Sequence, residues 1–156
     1  MSVSPLSFRE ASPDLQARLR SLLRVVVGFL FVCHGASKLF GVLGGSMGSG
    51  KPAVMPSLLG VSGIIEFFGG ILLILGLCTR LTAFIMAGEM AVAYFKVHVP
   101  RGPWPLTNRG ELPVVYCFLL LYLAFAGGGR YALDRLILQR LHGRPANELN
   151  PVDARL

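Results

Sequence analysis

The chain is expected to fold as an all-α, polytopic membrane protein. The expectation is a four-transmembrane-helix bundle with both termini cytoplasmic and a short amphipathic C-terminal helix. Three observations predict this. Apolar residues make up 53% of the 156, and charged residues only 15%, against about 25% charged in an average soluble domain. The apolar residues fall in four blocks, 22–43, 57–78, 81–99 and 112–126. Three of these reach the roughly 20 residues that cross a bilayer core, and the last completes its span with Glu111 and the glycines that follow. Finally, the basic residues are placed asymmetrically. Arg9, Arg18, Arg20 and Arg24 lie before or at the start of the first block, Arg80 lies in the second link, and Arg130, Arg135, Arg140, Arg144 and Arg155 follow the last. The other two loops hold only Lys51, Arg101 and Arg109. An excess of arginine and lysine marks the cytoplasmic side.

The domain organisation follows: a cytoplasmic segment 1–20, a transmembrane domain 21–128 with spans of about 22–43, 57–78, 81–99 and 111–128, and a cytoplasmic tail 129–156. The net charge of +7 is then a topology signal and an anchor for anionic lipid heads. With no basic patch interleaved with aromatics, a nucleic-acid partner is not expected. The first span is read as retained, because its leader is long, Lys38 follows the apolar stretch and no A-x-A site closes it.

Each element has local signals. Ser12-Pro13-Asp14 reads as a helix start, with Ser12 capping and Pro13 at the first helical position, so the first helix runs unbroken from near residue 13 into the membrane. The segment GGSMGSGKPAVMP is a glycine- and proline-rich outer loop. It is not a phosphate loop, since it lacks the G-K-[ST] ending and a strand-to-helix context. Only Thr79 and Arg80 separate the second and third spans, which predicts an antiparallel hairpin. In VPRGPWPLTNRGE three prolines stiffen the last outer loop, Trp104 suits the interface, and Asn108 with Glu111 reads as an N-cap with its reciprocal carboxylate. In the tail, Leu133, Ile137 and Leu141 share one helical side and Arg135, Gln139 and His142 another, which suits a helix lying on the cytoplasmic interface. Gly143 and Pro145 end it. Cys33, Cys78 and Cys117 form no C-x-x-C; Cys33 and Cys117, inside spans, read as packing residues.

The candidate site comes from charge in the wrong solvent. A charge at the bilayer centre costs about 2.5–3.5 kcal/mol on insertion scales, so such residues face partners or a cavity. His34 and Lys38 lie in the first span, Glu66 in the second, and Glu89 and Lys96 in the third. Counted from the outer ends, His34, Glu66 and Glu89 are each about ten residues, or ~15 Å, deep, with Lys38 one turn nearer the outer surface. His34 and Lys38 lie about 40° apart on one face, with Arg24 in the same sector, and Glu89 and Lys96 fall about 20° apart. Gly63 and Gly70 flank Glu66 on its own face and would let a neighbouring backbone approach. The expectation is a ligand or proton-relay cluster of His34, Lys38, Glu66 and Glu89, with Lys38 ion-paired to Glu66 or Glu89. Lys96, Asn108, Glu111 and Tyr116 form a secondary set. The same pair could instead serve only to fix helix register. No metal or haem is expected: no Glu-x-x-His pair exists, and His98 lies about 13 Å nearer the surface than His34. An organic molecule with polar ends and an apolar body, such as a quinone, fits the residue types.

These residues also carry a resemblance. The run R-x3-G-x5-HG-x2-KLFG (Arg24, Gly28, His34, Gly35, Lys38 to Gly41), G-x2-E-x2-GG around Glu66, GLCTRLTA at 76–83, and NRGE through to LD at 108–134 resemble the DoxX family of bacterial membrane proteins. The resemblance implies a four-helix, multi-pass protein of the bacterial inner membrane with cytoplasmic termini. It further implies redox association, since the family name belongs to a subunit linked to thiosulfate:quinone oxidoreduction and relatives are associated with thiol or oxidative-stress defence, often within larger complexes. This chain has neither the soluble outer domain nor the reactive thiol that thiosulfate chemistry would call for. Two readings stand: a quinone-binding membrane subunit of an oxidoreductase with other redox subunits as partners, or a non-catalytic scaffold for a partner protein. A proton-coupled exporter of cationic drugs ranks last, because Lys38 and Lys96 would repel such cargo. The glycine-rich second span suits homo-oligomerisation as well as internal packing, and no residue is assigned a catalytic role.

Overall fold

A computed structural model describes residues 12–142, and among them every regular element is helical. Helix α1 spans Pro13–Phe40, α2 Leu58–Leu75, α3 Thr79–Ala93, α4 Pro105–Asn108, α5 Glu111–Ala126 and α6 Leu133–His142. The N-terminal expectation holds locally: Ser12 Oγ accepts from Leu15 N at 3.3 Å, Pro13 opens the helix, and α1 runs 28 residues without a break. It stops at Gly41, whose φ of 70° is left-handed and costs glycine little. Ser57 caps α2 through Gly60 N at 3.1 Å, and Gly76 (φ 69°) ends it.

Three boundaries differ from the sequence reading. The link between α2 and α3 is residues 76–78 rather than Thr79 and Arg80, because Gly76 turns the chain before the apolar run is finished and Thr79 is already helical. Helix α3 does not continue as an α-helix to residue 99. It passes into a π turn at Tyr94–His98 and a 3-10 turn at Val99–Arg101. Arg24 does not stand at a solvent-facing helix end but is packed inside the bundle, 1% exposed. Arg9, Gly143, Arg144, Pro145 and Arg155 lie outside the described residues, as do the side chains of Leu141 and His142.

Helix α1 packs along α2, α2 meets α3, and α3 packs along α5. Buried side chains from all four meet in one core: Val27 and Phe31, Leu73, Ala83, Met86, Ala87 and Met90, and Leu120 and Leu123. The outward faces are just as apolar. Phe29, Phe68, Phe84, Phe118 and Phe125 are each more than half exposed. A soluble domain rarely shows contiguous apolar surface on this scale, and such surface marks contact with lipid or protein. Helices α1 and α2 are long and apolar enough to cross a membrane, and α5 is apolar but shorter.

Lipid tails are as apolar as leucine, so close packing rather than burial must bring helices together. The α1–α2 seam does this with glycine. A Cβ on Gly28 would lie 2.8 Å from the Gly70 carbonyl oxygen, and one on Gly70 would lie 2.7 Å from that of Gly28. Backbone therefore touches backbone at this level, and the neighbouring turns are brought close enough for side chains to pair.

Candidate functional site

At the end of the bundle where α2 stops, Arg24 binds main chain from two separate segments. Its Nε donates to Gly128 O (2.9 Å), Nη1 to Leu73 O and to Ile74 O (2.9 Å), and Nη2 to Tyr131 O (3.1 Å). The carbonyls at the end of α2 lack a full set of helical partners, and Leu73 O, which also accepts from Gly76 N (3.0 Å), takes Arg24 as a second donor. Asp134 completes the arrangement: its carboxylate accepts from Cys78 N (2.6 Å) and Thr79 N (2.8 Å), capping α3 from another helix. Cys78, at φ 49°, has no side-chain cap of its own to offer. Arg24 and Asp134 thus fasten α1, α2, α3 and the loop before α6 to each other. Sequence reasoning missed both roles; the signal was an arginine within an apolar helix that had no acidic partner at helical spacing.

Further along α1 the seam holds the expected ion pair. Lys38 Nζ lies 2.7 Å from Glu66 Oε2 and donates to Ser62 Oγ at 2.9 Å. The Glu66 side chain is 4% exposed and that of Lys38 20%, so the carboxylate is nearly stripped of solvent. The ammonium is the close partner of Glu66 Oε2 in this buried pair. Lys38 sits in the last turn of α1, where the helix dipole favours a cation. Gly63 makes room for it, since a Cβ there would lie 2.9 Å from Lys38 Cβ.

The pair opens onto a cavity of about 530 Å³ bounded by α1, α2, α3, α5 and the segment joining α3 to α5. His34, Lys38, Glu66, Glu89 and Tyr116 all line it. His34 stands exposed, while Glu89 is half-buried and its Oε2 accepts no hydrogen bond among the described residues. The Tyr116 ring lies against Phe31, 5.1 Å between centroids. Most of the remaining wall is aliphatic. Ser62, His98 and Arg109 also line the cavity, and the sequence-derived site did not include them.

Three residues of the secondary set lie elsewhere. Lys96 is exposed and off the cavity wall, although an α-helical wheel puts it over Glu89. The π turn at Tyr94–His98 explains the difference: its wider winding shifts the phase, so Val97 and His98 face the cavity instead. Glu111 is exposed and forms no capping box. The residue before α5 is Gly110, which has no side chain to cap with, and Asn108 turns the other way. Buried at 1% exposure, Asn108 accepts from Gly110 N (2.8 Å) through Oδ1 and donates to Gly102 O (2.8 Å) through Nδ2. Its own carbonyl meets His98 Nδ1 at 3.0 Å. A carbonyl can only accept, so Nδ1 donates in this contact. Between Asn108 and Gly110, Arg109 is held at φ 59°, a conformation that non-glycine residues adopt at a cost. The loop before α5 is therefore fixed by Asn108 in a way that sets His98 and Arg109 on the cavity wall.

Among the described residues no cluster of histidine, cysteine or carboxylate side chains could hold a metal ion. Cys33, Cys78 and Cys117 are free thiols.

Comparison with known proteins places these features. The DoxX family model matches residues 19–99. An uncharacterized protein of Haemophilus influenzae is 46% identical, over 77% of this chain and 91% of its own. The "Putative oxidoreductase CatD" of Bacillus subtilis is 29% identical over 76% of this chain and 86% of its own. The inner membrane protein YqjF of Escherichia coli is 31% identical over 73% and 88%. No solved structure matches.

Proposed function

Because the chain belongs to the DoxX family of membrane proteins, we propose that its cavity is a binding site for a quinone-like molecule, in the membrane subunit of a redox complex. In this reading α1, α2, α3 and α5 all span the bilayer as one bundle. The arginine-rich inner end faces the cytoplasm, and the cavity lies in the middle and outer half of the membrane. The observation that carries the reading is the convergence of the Lys38–Glu66 pair and a second carboxyl, Glu89, on the wall of one apolar cavity. A volume of about 530 Å³ suits a small organic ligand, and ligand sites are typically apolar with a few convergent polar groups. Intramembrane ionisable residues mark such sites. The name of one relative, CatD, adds support for redox association.

The division of labour follows from the contacts. Phe31, Tyr116 and the aliphatic wall hold the ring. His34, exposed and at the same level, hydrogen-bonds a ring oxygen or passes its proton outward, while Glu66 keeps Lys38 charged and oriented. Electrons would come from a partner subunit. The test is to purify the full chain in mild detergent and analyse its organic extract by mass spectrometry. The expected result is co-purifying quinone that is lost in Lys38→Met while helix content is kept. Extracts free of quinone, together with a stoichiometric protein partner, would instead favour a scaffold.

A further inference from the structure

The cavity wall changes character from its deep end to its edge. Ser62, Glu66 and Met90 line it and are at most 8% exposed. Leu58 and Val61 of α2 and Ile85 and Val92 of α3 line it too, yet they are 45–53% exposed. Facing the cavity does not account for the difference, since all seven face the same one. Helical phase does. Val61 belongs to the outward stripe of α2 with Ile64 and Phe68, and Ile85 and Val92 belong to that of α3 with Leu81 and Phe84. The wall therefore runs on into the outer apolar surface along the cleft between α2 and α3. These helices touch where Met86 packs on Gly69, a Cβ on which would lie 2.6 Å from Met86 Sδ. Counting from that contact away from the 76–78 link, the helical rise brings Val61 and Val92 within about one turn of each other. They stand on opposite edges of the opening. Between α1 and α5, by contrast, the ring of Phe31 packs on that of Tyr116.

A hydrocarbon chain gains little by leaving the bilayer for an apolar wall, because the two media are alike. A route past His98 and Arg109, the polar groups near the loop before α5, would instead draw the chain through water, which the hydrophobic effect opposes. From the continuity of wall and outer surface we propose that the α2–α3 cleft is a lateral portal. A quinone enters it from the bilayer ring first, reaches Lys38, and leaves its chain in lipid between Val61 and Val92. The inference rests on the quinone-site reading and adds two things to it: the ligand class, a ring bearing a long apolar chain, and the two residues that select for that chain.

The test uses the full chain in lipid nanodiscs, with empty discs as the control. A benzoquinone whose decyl chain carries a diazirine midway is added, irradiated, and its attachment points are mapped by mass spectrometry. Label that unlabelled decyl-benzoquinone competes away should concentrate on residues 58–65 of α2 and 85–93 of α3. Competable label on residues 94–110 instead, or on neither segment, would overturn the portal. A second measurement compares decyl-benzoquinone with methyl-benzoquinone, which has the ring but no chain. In the double variant Val61→Trp with Val92→Trp two indoles narrow the cleft, so the ratio of the two affinities should shift against the decyl compound at least about tenfold. A ratio unchanged from the native chain, including an equal loss of both compounds, would also overturn the portal. Each of these results leaves the quinone-site reading standing. Binding of neither compound to the native chain above empty discs would overturn both.

Discussion

Lys38 on α1 and Glu66 on α2 meet at 2.7 Å across a seam where the two backbones are in contact. Neither charge is tolerable alone in an apolar bundle, so the pair and the glycine seam depend on each other. Gly63 admits the lysine stem, and the pair in turn fixes the register of the seam.

Removing only the cation should therefore cost more than removing both charges. Lys38→Met strands the Glu66 carboxylate. Breaking a fully buried pair costs roughly 3–5 kcal/mol, and the partial exposure of Lys38 lowers the expectation to about 2–3 kcal/mol. The double variant Lys38→Met with Glu66→Gln should recover at least half of that. Thermal unfolding of the native chain, Lys38→Met, Glu66→Gln and the double variant in one detergent measures the cycle; a double variant less stable than Lys38→Met would refute the coupling.

Arg24 is expected to be irreplaceable by lysine. Its guanidinium donates to carbonyls of α2 and of the loop before α6, and a compact ammonium with three donors cannot reach both sides of that fork. Arg24→Lys should lose about 2 kcal/mol, and Arg24→Met, which leaves four carbonyl acceptors without this donor, about 3–5 kcal/mol. Equal melting temperatures for Arg24→Lys and the native chain would show that charge alone matters.

Two glycines should respond in opposite directions to one added methyl group. At Gly70 the new Cβ would press on the Gly28 carbonyl, which is backbone and cannot turn aside, so Gly70→Ala should destabilise by about 1–3 kcal/mol. Gly88, in the middle of α3, has nothing within 4 Å of that position. Gly88→Ala should therefore be neutral or stabilise by up to about 1 kcal/mol through helix propensity. Melting curves that rank the two the other way would contradict the backbone contact.

Asp134 offers a test of the long-range cap. Asp134→Ala leaves Cys78 N and Thr79 N without their acceptor, and losing a capping side chain costs about 0.5–2 kcal/mol. Asp134→Asn keeps one acceptor oxygen and should fall between. Amide hydrogen exchange should locate the loss in the first turn of α3, with α5 unchanged; protection lost evenly along the chain would indicate a different role.

The elements that could be read from local pattern are those whose signals are local. Ser12, Pro13 and Gly41 delimit α1 by their own conformational preferences. A pairing of Lys38 with Glu66 or Glu89 could be anticipated because hydropathy puts the three within about a turn of the same depth on different helices, and the structure selects Glu66. The wheel failed at Lys96, because one π turn breaks the constant winding on which it depends. It failed for Asn108 and Glu111 because a capping box and an Asx turn share the same residues, and only the path of the loop chooses between them.

By itself the sequence determined the helical class, the apolar spans and the choice of residues too polar to face lipid, since hydropathy and helix caps act over a few residues. Only the tertiary structure decided that Arg24 would be answered by main-chain carbonyls, that Asp134 would cap a helix 55 residues away, and that Ser62, His98 and Arg109 would join the cavity wall. Those contacts join segments distant along the chain, and they exist only once close glycine packing has set where each helix lies.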